Sequence, residues 1–286
     1  MITFSNLGRL GRLGNQFFQV ASTIGIAKKN NHEYSFPEWL VNKFLKNPIP
    51  TGFQNSDIQL KETGCTYQEF DLECEGNVSI DLTGYFQSEK YFKHCEDAIR
   101  KYLTPSDALV EKIERKYGSL FAGNRDIASV HVRCGDYESL RRVYYNLNKD
   151  YFMQGIEESK AEQVIFFSDN IRRCKDVFKE NDNNFLFLSE RVHDNSLILD
   201  TKSAELDAPK HFEEDLIELF VMSRCRTNII SNSTYGWWAA WLNDNENKQV
   251  FAPNEWFQPE HLDLICKEEK RDNYLNDIIP ESWKKR

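Results

Sequence analysis

Three short runs rich in β-branched and aromatic residues constrain most strongly what this chain can fold into. They lie at 127–130, 164–167 and 227–230, and each is followed by polar residues. Runs of this kind are typical of buried strands. Helical patterns alternate with strands from about residue 127 onward, which predicts an α/β architecture. Open α/β sheets bind ligands at the ends of their strands, so the residues after each run are the candidates for function.

The first run leads into the most informative segment of the chain, His131-Val132-Arg133-Cys134-Gly135-Asp136-Tyr137. A guanidinium group can bind phosphate through two hydrogen bonds at once, and a glycine allows a tight turn or a close approach to a ligand. We therefore predict catalytic roles for Arg133, His131 and Asp136. The alternative is a strand that ends in an ordinary polar turn with no catalytic role.

The second and third runs also end in candidate binding residues. Asp169 follows the second run, where an aspartate can hold a ribose or a base edge; it can equally cap the helix predicted at 171–178. Ser231, Asn232, Ser233 and Thr234 follow the third run and precede an apolar helix. Such a turn predicts an anion site made of amides, hydroxyls and the helix dipole, although these residue types are also ordinary helix caps.

Two further segments lie in the N-terminal half. A glycine-rich turn at 8–14 precedes a helix predicted from about Asn15 to Lys29, and Asn15 and Gln16 are candidates for substrate contacts. The glycines at 8, 11 and 14 do not have the Gly-x-Gly-x-x-Gly spacing of a dinucleotide site, and a plain structural turn is the alternative. The segment 84–92 mixes tyrosine, phenylalanine and glutamine, which suits either sugar contacts or an ordinary strand end.

Taken in chain order, the segments 11–16, 84–88, 131–137 and 233–240 resemble four blocks of the α1,2-fucosyltransferases, glycosyltransferase family 11. The blocks are Gly-Arg-Leu-Gly-Asn-Gln, Gly-Tyr-(aromatic)-Gln-Ser, His-x-Arg-Arg-Gly-Asp-Tyr and Ser-Thr-(Phe/Tyr)-x-Trp-Trp-Ala-Ala. The chain departs from them in two places. Cys134 stands where the family has a second arginine, and Gly-Arg-Leu occurs twice in tandem, at 8–10 and 11–13.

The resemblance implies a GT-B architecture, in which two Rossmann-like α/β domains face each other across a cleft. It implies an acceptor-side domain at 1–124 and a GDP-fucose-binding domain at 125–286. The implied reaction moves fucose from GDP-fucose to the 2-hydroxyl of a terminal galactose on a glycan, with inversion. A catalytically weak or inactive sugar- or nucleotide-binding protein of the same fold is the alternative, and Cys134 supports it. A nucleotide-dependent oxidoreductase is disfavoured by the glycine spacing.

Composition bears on metals, partners and location. No Asp-x-Asp follows an apolar strand, so we expect neither a metal ion nor any cofactor besides the donor substrate. The net charge of −9 disfavours nucleic acid as a partner. No uninterrupted run of about 18 apolar residues predicts a membrane span, and the first residues do not resemble a signal peptide. Seven cysteines without zinc spacing suggest reduced thiols and a cytoplasmic location. The tail from residue 267 is expected to be a solvated helix with a frayed end.

Overall fold

The computed structural model describes residues 1–52, 56–72, 78–123, 125–135, 140–178, 184–188, 204–266 and 274–286, with the backbone alone at 204–211. These residues divide into two compact units. Unit 1 comprises Met1–Val110 and Ile265–Pro280, and unit 2 comprises Glu111–Leu264 and Glu281–Arg286.

Unit 1 contains a parallel three-stranded sheet. Its strands are β1 (Ile2–Thr3), β2 (Ile58–Lys61) and β3 (Ile80–Thr83), in the order β1-β3-β2. Its helices are α1 (Leu13–Lys29), α2 (Glu96–Tyr102) and α9 (Tyr274–Ile278). Short 3-10 helices lie at Leu40–Phe44, Glu89–Tyr91 and Lys93–Cys95.

Helix α1 packs closely against the segment that follows β3. The Ser22 hydroxyl donates to the Phe86 carbonyl at 3.0 Å. A Cβ atom on Gly25 would lie 2.1 Å from the Tyr91 carbonyl oxygen, so only glycine allows this approach. The helix predicted from Asn15 begins two residues earlier, at Leu13.

Unit 2 contains a six-stranded parallel sheet with the strand order β6-β5-β4-β7-β8-β9. The strands are β4 (Ile127–Val132), β5 (Gln163–Ser168), β6 (Phe185–Phe187), β7 (Thr227–Ile230), β8 (Gln249–Ala252) and β9 (Lys284–Lys285). The helices between them are α4 (Lys149–Ser159), α5 (Ile171–Phe178), α6 (Ala204–Met222), α7 (Thr234–Leu242) and α8 (Pro259–Ile265). Helix α3 (Asp107–Tyr117) crosses the division between the units, and a 3-10 helix at Gly118–Leu120 follows it.

The strand order of unit 2 is that of a Rossmann fold, in which the chain winds outward from a central strand and then crosses to its other side. Here β4 is the central strand, with β5 beside it on one side and β7 on the other. All six residues of β4 are buried, as the apolar run at 127–130 predicts. The three strands predicted from the runs and the alternation with helices are therefore confirmed.

The C-terminal segment differs from the sequence expectation. Cys65 and Cys266 form a disulfide in unit 1, so the expectation that all thiols are reduced is wrong. Asp277 accepts hydrogen bonds from the Tyr67 amide at 2.9 Å and from Lys90 at 2.5 Å. These contacts tie Ile265–Pro280 to unit 1, whereas the sequence assigns all of 125–286 to one domain.

The last residues belong to unit 2 and are not a frayed end. Strand β9 pairs with β8, and Trp283 beside it is buried. The sequence places the first domain boundary at 124, whereas unit 1 ends at Val110, inside helix α3. None of the helices in the described ranges is long and apolar enough to cross a membrane.

Candidate active site

The point where the strand order of unit 2 reverses, between β4 and β7, carries most of the predicted site residues. His131 pairs in register with Ile230, and Val132 pairs with Ser168 of β5. Because the three strands are parallel, the residues after Val132, Ser168 and Ile230 meet at one edge of the sheet. A crevice at this reversal is the usual ligand site of a Rossmann fold.

Arg133 and Asp169 form an ion pair at this edge. The Arg133 Nη1 atom lies 2.5 Å from the Asp169 Oδ2 atom, and the two side chains are only 12% and 5% exposed. Asp169 also accepts from the Cys134 amide at 2.8 Å and from the Gly135 amide at 3.0 Å. Burial acts to raise the pKa of Asp169, but the Arg133 charge and the two amides outweigh it and the pKa is lowered. Asp169 is therefore an ionised carboxylate that orients Arg133 and the turn after β4.

Asp169 does not cap helix α5, which was the alternative to a binding role. The cap is Asn170, whose side-chain oxygen accepts from the Arg173 amide at 3.2 Å. Ribose binding by Asp169 stays a prediction, since its carboxylate already has the three partners described.

His131 lies on β4 and is buried. Its Nδ1 atom is 3.0 Å from the Ser231 hydroxyl, and its ring centroid is 5.3 Å from that of Tyr235. Burial lowers the pKa of His131 to about 4, with the Asp169 charge opposing this shift and the Arg133 charge adding to it. The imidazole is therefore neutral near pH 7, and it positions Ser231.

Helix α7 brings its first turn against this histidine. A Cβ atom on Gly236 would lie 2.8 Å from His131 Nδ1, so a larger residue would push the helix away. Ser233 occupies the N-cap position, but its side chain makes no capping hydrogen bond. Thr234 is the first residue of the helix, and Trp237 and Trp238 in the next turn are fully buried.

Asn232 fixes the segment before helix α4. Its side-chain nitrogen donates to the Tyr145 carbonyl at 2.9 Å and to the Trp256 carbonyl at 2.8 Å. This role was missed in the sequence, where Asn232 is predicted only to bind an anion.

A cavity of about 380 Å³ opens at this edge of the sheet. Four cationic side chains line it: Arg133, Arg141, Lys149 and Arg173. Ser231, Asn232 and Cys134 line it as well. Apolar side chains complete the lining and form an apolar wall, made of Leu147, Phe152, Cys174, Val177 and Phe178. Among the described lining residues there is no carboxylate, so the cavity suits an anion with an apolar part.

Lys149 and Arg173 were not among the residues singled out in the sequence. Each belongs to the first turn of a helix, Lys149 in α4 and Arg173 in α5. In the sequence, a charged residue in the first turn of a helix cannot be distinguished from a charged residue on a solvated helix face. The sequence offers one indication for Arg173: it follows the predicted binding residue Asp169 by four positions.

Asn15 and Gln16 lie in unit 1, at the start of α1. Gln16 is buried, and it accepts from the Trp39 indole at 2.9 Å while donating to the Gly11 carbonyl at 3.1 Å. Its amide therefore holds the glycine-rich turn. Asn15 accepts from the Gln87 side chain at 2.9 Å. Asp136, the third predicted catalytic residue, lies outside the described residues.

The chain is similar to several known proteins in sequence and in fold. The family model of glycosyl transferase family 11 matches residues 6–279. The O-antigen biosynthesis glycosyltransferase WbnK of Escherichia coli is 32% identical over 249 residues, which cover 84% of this chain and 67% of the relative. An alpha-1,2-colitosyltransferase of Escherichia coli is 25% identical over 261 residues, which cover 87% of this chain and 74% of the relative.

A solved structure has the same fold. The NodZ alpha-1,6-fucosyltransferase soaked with GDP-fucose superposes with a TM-score of 0.54 and 15% identity, covering 86% of this chain and 96% of the other. This likeness confirms the predicted α/β fold of the GT-B type.

We expect the neutral His131 to make stability depend on pH. Its pKa is about 4 in the folded protein, against an ordinary value near 6.5. The unfolded chain therefore binds the proton more tightly, and stability is lost as the pH falls from 6.5 towards 4. Between pH 7.5 and pH 5 the loss is about 2 kcal/mol.

Thermal unfolding of wild type and His131→Asn across this range measures the effect. The variant should lose less stability on acidification, because it has no imidazole to protonate. His261→Asn, a histidine replacement elsewhere in unit 2, is the matched control. Equal losses in wild type and His131→Asn would contradict the assignment.

Proposed function

The chain belongs to glycosyltransferase family 11, and we propose that it transfers fucose from GDP-fucose to the 2-hydroxyl of a terminal galactose on a glycan. The observation that carries the proposal is the cationic cavity of unit 2 at the reversal of strand order. Its volume of about 380 Å³ falls within the range of nucleotide and other small-molecule sites. In the proposal the diphosphate lies at the cationic side and the nucleoside lies against the apolar wall.

The charge balance of the cavity supports an anionic donor. The Arg133 charge is largely offset by Asp169, so this pair alone is close to neutral. Arg141, Lys149 and Arg173 add positive charge along the same lining. Cationic lining residues of this kind suit the negative charge of a diphosphate.

The proposed reaction inverts the anomeric centre and proceeds without a metal ion. The acceptor oxygen attacks the anomeric carbon as the bond to phosphate breaks, and GDP leaves with the electron pair. Arg133 stabilises the charge that develops on the leaving phosphate, and the turn 231–234 assists it. Among the described residues no group of three His, Cys, Asp or Glu side chains is arranged to hold a metal ion. In the proposed mechanism the arginine and lysine side chains of the cavity supply the positive charge.

The acceptor hydroxyl must also lose its proton. His131 is a poor candidate for this base, because it is buried and its Nδ1 atom contacts Ser231. Asp136 stays a prediction, either as the group that acts on the hydroxyl or as a second partner of Arg133.

A second donor is a candidate because one relative is a colitosyltransferase. Colitose lacks the 3-hydroxyl of fucose, so the two sugars differ at one position. Parallel assays with GDP-fucose and GDP-colitose decide between them. A binding protein without activity, the alternative that Cys134 supports, would turn over neither.

The decisive assay supplies GDP-fucose and a galactoside, such as lactose, in the presence of EDTA. We expect a product with an α1,2 linkage from the wild type. Arg133→Ala should lower the rate by about 100-fold or more, since one positioned donor is worth about 2.7–4 kcal/mol of barrier. Arg133→Lys should also be poor, because an ammonium group lacks the planar fork of donors.

Arg226→Ala is the matched control, because Arg226 pairs with Asp126 at the opposite edge of the sheet. It should retain wild-type activity. Retention of more than a tenth of the activity by Arg133→Ala would overturn the role of this residue, and loss of wild-type activity in EDTA would overturn the metal-free mechanism.

Arg173 is proposed to supply the charge that the family's second arginine supplies elsewhere. Cys134 and Arg173 line the same cavity. Burial raises the pKa of the Cys134 thiol, and a hydrogen bond with Ser168 and the nearby arginines only partly oppose this, so the residue is an uncharged thiol. Arg173 therefore provides positive charge on the side where Cys134 provides none.

Arg173→Gln should weaken GDP binding by about tenfold or more, since a charge-assisted contact is worth about 1.5–3 kcal/mol. Cys134→Arg in the same variant should restore much of the affinity. Titration calorimetry with GDP measures both effects. Arg172→Gln, an exposed neighbour that does not line the cavity, is the control. Unchanged affinity in Arg173→Gln, or no recovery in a folded double variant, would contradict this role.

A further inference from the structure

The first turn of helix α4 forms one part of the cavity in unit 2. Leu147 and Asn148 precede the helix, Lys149 begins it, and all three line the cavity together with Phe152. A lysine carries its charge on a flexible four-carbon stem, so the backbone beneath it must be fixed if the charge is to meet a ligand. The contacts that fix the start of α4 therefore bear on donor binding.

Tyr151 attaches this turn to the carboxyl edge of the sheet. Its hydroxyl donates to the Ile230 carbonyl at 2.6 Å and lies 3.2 Å from the Phe251 carbonyl. Ile230 is the last residue of β7, and Phe251 lies in β8. Burial raises the pKa of Tyr151 above its usual value, and the Arg286 charge opposes this only in part. The phenol therefore keeps its proton and donates it to the strand ends.

The same hydrogen bond connects α4 to the polar turn at 231–234. The Ile230 carbonyl belongs to the peptide group whose amide is that of Ser231. This amide donates to the His131 carbonyl at 3.1 Å, and the Ser231 hydroxyl lies 3.0 Å from His131 Nδ1. A single peptide group therefore joins α4, through Tyr151, to β4 and to the turn that lines the cavity.

The backbone of Tyr151 is held as firmly as its side chain. The Asn148 side-chain oxygen caps the helix by accepting from the Tyr151 amide at 3.0 Å. One turn further along, a Cβ atom on Gly155 would lie 3.0 Å from an Ile229 methyl carbon, so the helix packs directly on β7. These contacts set both the height and the direction of the first turn of α4 above the sheet.

We propose that Tyr151 is a positioning residue for donor binding and that it acts through Lys149. Its own side chain is buried and is not part of the cavity lining, so it does not contact the donor. The hydroxyl holds the start of α4 beside the turn 231–234, and Lys149 then presents its charge to the diphosphate. The identity of the anion as the diphosphate of GDP-fucose rests on the proposed function.

Titration of GDP onto Tyr151→Phe, Lys149→Gln and the double variant tests this role. Each single variant should bind GDP about fivefold more weakly or worse, in keeping with the weakening of one charge-assisted contact. The double variant should be little weaker than either single variant, because the two changes remove the same contact. Independent residues would instead give multiplied losses of about 25-fold or more.

Tyr91→Phe is the matched control. Tyr91 is a buried tyrosine of unit 1 whose hydroxyl also bonds to the backbone, accepting from the Gln68 amide at 3.0 Å. This substitution should lower the melting temperature without changing the affinity for GDP. A purely structural Tyr151 would behave in the same way, so unchanged affinity in folded Tyr151→Phe would overturn the proposal. Unchanged affinity in Lys149→Gln, which leaves the core intact, or multiplied losses in the double variant would overturn it as well.

Steady-state kinetics separates this inference from the proposed function. In Tyr151→Phe the KM for GDP-fucose should rise about fivefold while the KM for the galactoside stays unchanged. GDP binding that depends on Tyr151 and Lys149, in a protein that transfers no fucose, would count against the function and leave the positioning role intact. Transfer by the wild type together with an unaltered KM for GDP-fucose in Tyr151→Phe would support the function and overturn the positioning role.

Discussion

The ion pair between Arg133 and Asp169 is the contact on which the proposed donor site depends. Strands β4 and β5 are parallel and pair Val132 with Ser168, so the next residue of each strand meets the other at the sheet edge. A buried carboxylate is costly unless it is paired and hydrogen-bonded. Asp169 has Arg133 and two amides as partners, and the same contacts shape the turn at 133–135. One carboxylate therefore orients both the arginine and the backbone beside the cavity.

Both units use a carboxylate to hold the backbone that follows a strand. In each, a carboxylate near the carboxyl edge of a parallel sheet accepts two backbone amides: the buried Asp169 in unit 2 and the partly buried Glu62 in unit 1. In unit 2 the lining is cationic, which suits a diphosphate.

Local patterns in the sequence predict the strands, the α/β class and the segments that contain the site. The apolar runs are reliable because a buried parallel strand must be apolar on both faces. Local patterns do not show which residues far apart in the sequence contact each other in the fold. Asp169 reaches Arg133, and Cys65 reaches Cys266, only through the folded topology. Gln16 shows the same limit: its bonds to the Gly11 carbonyl and the Trp39 indole are not evident from its motif, and its contact with substrate stays a prediction.

Titration of GDP onto Asp169→Asn, checked for native folding by circular dichroism, tests the central claim most directly. The substitution removes a negative charge beside an anion site, so electrostatics alone would make GDP bind more tightly. If Asp169 instead positions Arg133 and the turn after β4, GDP should bind about tenfold more weakly or worse, in keeping with the loss of a charge-assisted contact. Unchanged or tighter binding by the folded variant would contradict the account.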